Sequence, residues 1–113
     1  MSTYDGNWFE NKIEGKGVYR WLDGRQYDGY WKENNMHGQG VYTWEDGRKY
    51  DGSYLMDKKH GYGVYRWADG RIYEGYWANG KQHGEGNYTS AEGHSRMGTW
   101  KEGKRLKWND EEV

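Results

Sequence analysis

The sequence predicts an all-β protein, an elongated single-layer antiparallel β-meander of tandem hairpin repeats. Three observations carry that prediction. The chain aligns with itself at a shift of 23 residues, so that Tyr4, Tyr27, Tyr50 and Tyr73 open successive units. Each unit contains two short segments rich in aromatic and β-branched residues, such as YDGYW and GVYTW, bounded by turn residues. No segment keeps the apolar period of a helix over a useful length.

The units run 4–26, 27–49, 50–72 and 73–95, followed by a partial capping repeat at 96–108 and a polar tail at 109–113. One unit is too short to bury a face alone, so neighbours must stack into a quasi-linear array. The repeat decays at its end: the tryptophan of positions 21, 44 and 67 becomes Ser90, and Arg96 replaces the opening tyrosine. Terminal repeats of an array are expected to be atypical in this way.

Within a unit the first strand leads into a turn whose eighth position is Asn11, Asn34, Asp57, Gly80 or Gly103. All three residue types tolerate the left-handed region, which predicts a positive φ there. The second strand ends in Asp-Gly at 23–24, 46–47 and 69–70, a hairpin turn signal. Nine strands at about 4.8 Å spacing make a rod roughly 40 Å long. Alternation places Tyr27, Gly29 and Trp31 on one face together with Gly40, Tyr42 and Trp44. A four-residue loop, 34–37, would set Glu33 opposite Gly38. An odd-length connection would then set Trp44 opposite Tyr50 and Tyr42 opposite Gly52, laying rings over cross-strand glycines.

Composition narrows the classes. Val, Ile and Leu number nine in 113 residues, against 8 Trp, 12 Tyr and 1 Phe, so whatever is buried is mostly indole and phenol. With no Cys there is no disulfide framework and no thiolate metal site. The opening MSTYDGNWFENK lacks the apolar run of a signal peptide, and no stretch approaches the roughly 20 apolar residues of a membrane span. A net charge of −1 gives no general pull towards nucleic acid or anionic lipid. An intracellular protein is expected.

Tyr-x-Gly-x-Trp, a loop Gly, then His-Gly-x-Gly-x-Tyr and Asp-Gly resemble the MORN (membrane occupation and recognition nexus) repeat over residues 4 to about 103. Departures are few. Tyr54 stands where the family usually has Trp, Glu14 replaces the His of 37, 60 and 83, and the loop Gly is Asn or Asp in three units. The resemblance implies a rod or shallow trough of hairpins without catalytic activity and without a cofactor. It implies a scaffold or partner-binding module in the cytoplasm or cytoskeleton, cilia and flagella included. Relatives also accompany lipid kinases and membrane-junction proteins. Lipid binding named the family but is not general in it.

The chemical signals resolve against catalysis. His37, His60 and His83 recur once per unit, about 9.6 Å apart, whereas metal ligands sit about 2 Å from one ion; turn chemistry accounts for them, and for His94. Gly-x-Gly recurs without the third glycine of a nucleotide fingerprint. Asp5, Asp28, Asp51 and Glu74 repeat along an exposed rod instead of converging in a pocket. Arg25, Arg48 and Arg71 line one edge and, with Lys104 and Arg105, could meet an acidic partner or lipid phosphates. The blander account pairs them with acids such as Asp28 and Asp51 or with ring faces.

The aromatic face is the stronger candidate, because exposed apolar area marks binding surfaces and Tyr and Trp are preferred anchors. The expected partner groove comprises Tyr27, Trp31, Tyr42, Trp44, Tyr50, Tyr54, Tyr65, Trp67, Tyr73 and Trp77. Asn7, Tyr30, Ser53 and Tyr76 vary between units and are expected to tune specificity. The reading is a non-enzymatic scaffold holding a partner peptide or helix, or a second copy, with nucleic acid excluded. The alternative is a peripheral binder of phosphoinositide or anionic lipid using the arginine edge and the basic stretch.

Overall fold

The computed structural model describes residues 2–110, so the polar tail foreseen at 109–113 lies mostly outside the described residues. Ten strands form: β1 (Thr3–Phe9), β2 (Lys12–Arg20), β3 (Gln26–Lys32), β4 (Asn35–Thr43), β5 (Lys49–Leu55), β6 (Lys58–Arg66), β7 (Ile72–Ala78), β8 (Lys81–Thr89), β9 (Ser95–Lys101) and β10 (Lys104–Trp108). They make one open antiparallel sheet in chain order, with no helix among the described residues. The expected meander is the observed one. It has ten strands instead of nine because the fifth unit completes its hairpin with β10, and the Cα trace extends 55 × 25 × 16 Å.

Two kinds of turn alternate. The first joins the strands of a unit through two residues, as Lys32 pairs with Asn35 across Glu33 and Asn34. Both central residues have positive φ, 47° and 68°, which is the primed turn that matches strand twist. The eighth position is left-handed in every unit, as its residue types predict: Asn11 66°, Asn34 68°, Asp57 70°, Gly80 84° and Gly103 85°. The seventh position is left-handed too, although Glu10, Glu33, Met56, Asn79 and Glu102 gave little sign of it.

Neighbouring units hold these turns in place. Asn34 N–H donates to the Ile13 carbonyl at 3.0 Å while its Oδ1 accepts from Ile13 N–H at 2.7 Å. Asp57 repeats both bonds on Met36. The seventh N–H is met by the side chain of the preceding unit: Glu33 by Glu14 Oε2 at 2.7 Å, Met56 by His37 Nδ1 at 3.4 Å, Glu102 by His83 Nδ1 at 3.3 Å. Glu14 therefore makes the same contact as the histidines, since each presents one acceptor to the next turn.

The second kind of turn joins units. Trp21 N–H donates to the Arg25 carbonyl at 2.9 Å and Gly24, at φ 94°, donates to the Trp21 carbonyl at 3.2 Å. This three-residue loop recurs at Trp44–Arg48 and Trp67–Arg71. The connection is odd in length, as expected, but shorter, and the register differs from the expected one in consequence. Tyr42 faces Tyr50 and Gly40 faces Gly52; Trp44 lies beyond the last paired residues, Thr43 and Lys49. Within the hairpin, Trp31 faces Met36 and Gly29 faces Gly40, so the expected pairing of Glu33 with Gly38 does not form. The two-residue turn and a bulge take up the difference: His37, Gly38 and Gln39 stand opposite Tyr30 alone, with Gly38 at φ 92°.

Glycine thus faces glycine, and the ring that covers it comes diagonally. A Cβ on Gly40 would fall within 3.0 Å of the Tyr27 ring. The Tyr27 hydroxyl runs past Gly29 and donates to the Tyr30 carbonyl at 3.0 Å; Tyr50 and Tyr73 do the same to Ser53 and Tyr76 at 2.9 Å. The two glycines of His-Gly-x-Gly have separate tasks. The first makes the bulge, and the second leaves room for a ring.

These opening tyrosines form the core. Tyr27, Tyr50 and Tyr73 are fully buried, each held edge-on between the ring of its own unit and that of the next. Tyr27 meets Trp31 at 5.0 Å and Tyr54 at 5.3 Å; Tyr73 meets Trp77 at 5.3 Å and Trp100 at 4.9 Å. Edge-to-face pairs at such separations contribute about 0.5–1.5 kcal/mol each beyond the area they bury. A single-layer sheet buries these tyrosines because each lies over glycine and is flanked by near-perpendicular rings from its own unit and the next.

Candidate aromatic binding face

The groove expected from the sequence divides into two tiers. Tyr27, Trp31, Tyr42, Tyr50, Tyr54, Tyr73 and Trp77 are buried and form a floor. They are fully or nearly fully covered by other rings, so a partner reaches little of them. Trp44, Tyr65 and Trp67 are half-buried and belong to a second row. That row runs Tyr19–Trp21–Tyr42–Trp44–Tyr65–Trp67–Tyr88–Trp108, with successive centroids between 4.5 and 6.3 Å. Its tryptophans present indole surface to solvent. Sequence reasoning did not include Trp21 or Trp108, although Trp21 occupies the column of Trp44 and Trp67.

Between floor and shelf lies a line of shallow clefts. One of about 400 Å³ is lined by Ile13, Trp21, Trp31, Met36 and Tyr42; another of about 300 Å³ by Trp67, Gln82, Tyr88, Trp100, Arg105 and Trp108. The side chain at the tenth position of each unit decides how a cleft is filled. That column reads Ile13, Met36, Lys59, Gln82 and Arg105, and it too was missed. Comparing the units column by column would have shown it as the most chemically varied position on the face.

Arg25, Arg48 and Arg71 do line one edge, but their partners differ from the expected ones. Each guanidinium is held by the aspartate of its own turn, Arg25–Asp23 at 2.8 Å, Arg48–Asp46 at 2.9 Å and Arg71–Asp69 at 2.9 Å. Each also stacks over the preceding tryptophan at 4.8–5.1 Å. Asp28 and Asp51 project from the other face of the sheet and are not their partners. Hydrogen bonds from the arginines hold Asp23 and Asp46 below the usual carboxylate range. The pairs are exposed and each arginine is neutralised by its own turn aspartate, so these arginines serve mainly as lids over the tryptophans. Lys104 and Arg105 open β10, and Arg105 lies 4.4 Å from the Trp108 ring centroid.

Asn7, Tyr30, Ser53 and Tyr76 lie on the opposite face, where Tyr62 meets Tyr76 edge-on at 5.5 Å. They do not join the clefts. The repeated Asp28, Asp51 and Glu74 lie there as well, each opposite Val or Asn on a neighbouring strand.

A fold of stacked, self-similar hairpins with a line of clefts along one aromatic face is that of a repeat-based binding module. The model of the MORN repeat matches four times, at residues 4–24, 27–47, 50–70 and 73–95. The chain belongs to the MORN repeat family. No curated protein matches it.

Proposed function

We propose that the array is a non-enzymatic protein-binding module that receives a partner peptide or helix along the half-buried tryptophan row, within a larger cytoskeletal or ciliary assembly. The observation that carries this reading is the two-tiered aromatic face. A buried floor supplies rigidity, and a solvent-facing shelf with open clefts supplies anchors of the kind that dominate protein interfaces. Preorganised rings lose little side-chain entropy on binding. Anionic lipid is the less favoured occupant, because three of the arginines foreseen as phosphate contacts, Arg25, Arg48 and Arg71, are already engaged by turn aspartates.

The test is affinity capture from extract with the whole chain, comparing the wild type with Trp44→Ala and Trp67→Ala, beside flotation with anionic vesicles. The wild type should retain a protein that both variants lose. Salt-sensitive flotation without any protein partner would replace this reading with the lipid one.

A further inference from the structure

Lys59 is the one member of the tenth-position column that places a cation among the rings of the floor. Its Nζ lies 5.4 Å from the Tyr50 centroid, 5.5 Å from Trp77, 5.7 Å from Tyr65 and 5.9 Å from Trp44. It takes part in none of the ion pairs or side-chain hydrogen bonds of the described residues. No buried side-chain nitrogen or oxygen is without a partner there, so this unpartnered ammonium keeps access to solvent. Burial lowers its pKa, and the next contribution is another cation, Arg48. The strand positions of the aromatic face carry no Asp or Glu from Tyr4 to Trp108, while Asp23, Asp46 and Asp69 are spent on arginines. Asp57 borders the Ile13–Met36 cleft, where its carboxylate accepts from Met36 N–H.

The face is therefore graded. The tenth-position column is apolar in its first half, at Ile13 and Met36, and cationic at Lys59 and Arg105, two units apart in its second half, where the carboxylate of Asp110 is engaged by Arg96. Arg105 has its guanidinium over Trp108 and, like Lys59, no acid partner among the described ion pairs. Four strand spacings separate the two cations, about 19 Å, which a helix covers in roughly 13 residues.

Resting on the binding face argued above, we propose that the occupant is an acidic protein segment: one carboxylate binds the Lys59 ammonium, a second meets Arg105, and an apolar end lies over Ile13 and Met36. Charge complementarity selects this occupant. Its carboxylate would supply the charged oxygen acceptor that the cage of rings lacks. A phosphate would need several converging donors, and the nearest guanidinium, Arg48, is held by Asp46.

The test is selection of a random displayed peptide library on the whole folded chain, followed by titration of the selected peptides. Lys59→Met is the informative variant, because Met36 already occupies the equivalent place. The wild type should enrich peptides bearing spaced Asp or Glu, with affinity falling as salt rises. Lys59→Met should weaken those peptides about tenfold or more while keeping the fold, and Lys59→Glu should select basic peptides instead. Enrichment of apolar or basic peptides that Trp67→Ala weakens and Lys59→Met does not would overturn the acidic-segment assignment and leave the binding face standing. Failure to enrich any peptide would overturn both. Self-association of the wild type that Lys59→Met abolishes would place a second copy there and also overturn the assignment.

Discussion

Gly63→Ala tests the packing that defines the repeat. Gly63 lies under the Tyr50 ring, and a Cβ there would come within 3.0 Å of ring atoms and hydroxyl. Tyr50 is fully buried, so the ring has no free direction in which to yield. Displacing it breaks the hydroxyl bond to the Ser53 carbonyl, about 1 kcal/mol net. It also disturbs edge-on pairs with Tyr54 at 5.2 Å and Trp77 at 5.5 Å, at about 0.5–1.5 kcal/mol each. The gross loss is about 2–4 kcal/mol, and the stiffer unfolded chain returns roughly 0.5–1 kcal/mol. The net cost of about 1–3.5 kcal/mol is a sizeable share of the roughly 5–15 kcal/mol typical of a folded domain.

Urea unfolding followed by fluorescence and by circular dichroism measures it, and the double variant with Tyr50→Leu isolates the cause. In the Tyr50→Leu background the alanine should cost about 1–2 kcal/mol less, because the ring it strikes is gone. If Gly63→Ala is neutral, or costs the same with and without Tyr50, the ring-over-glycine account of the repeat is wrong.

High pH should unfold the array. Burial raises Tyr27, Tyr50 and Tyr54 well above 10.0 and Tyr73 from 10.0 to about 12. Folded pKa values above the unfolded ones mean stability is complete below pH 10.0 and lost as pH climbs towards the folded values. Part of the tyrosinate absorbance should therefore appear together with loss of the fold; smooth titration of every tyrosine with unchanged dichroism would contradict the buried floor. Lys59 has the opposite sign. Its pKa is depressed by burial and then by Arg48, so the folded state gains stability as pH rises through that value towards 10.5. Lys59→Met should stabilise the free protein at neutral pH, and a destabilised variant would show that the rings favour the charged form. Asp57→Ala should cost about 2–3 kcal/mol, from its left-handed φ and the loss of the carboxylate that accepts from Met36 N–H. Asp57→Gly, as at Gly80, should fall between wild type and alanine in unfolding midpoint; equal midpoints for both variants would refute a conformational share. Arg48→Gln should leave the midpoint nearly unchanged, since its pair with Asp46 is exposed, and a large drop would mean the lid over Trp44 matters to the fold.

The repeat, its strands and the division into one aromatic and one polar face follow from the sequence alone. Period and alternation are local properties that every copy states again. The positive φ at Asn34 and Asp57 was legible for the same reason, since few residue types share that freedom. The register was not. Pairing Tyr42 with Tyr50 instead of Gly52 depends on a three-residue loop and on the bulge at Gly38, and both parities agree with either choice. Nor could the sequence divide the rings into floor and shelf. Tyr27 and Trp44 are both aromatic and lie on the same face, but Tyr27 is fully buried between the edge-on rings of Trp31 and Tyr54, whereas Trp44 lies beyond the last paired strand residues and stays half-buried. Lys59 looked like any solvated lysine in a polar chain. Its place among four rings, outside every ion pair of the described residues, arises from strands brought side by side, and only the folded sheet decides that.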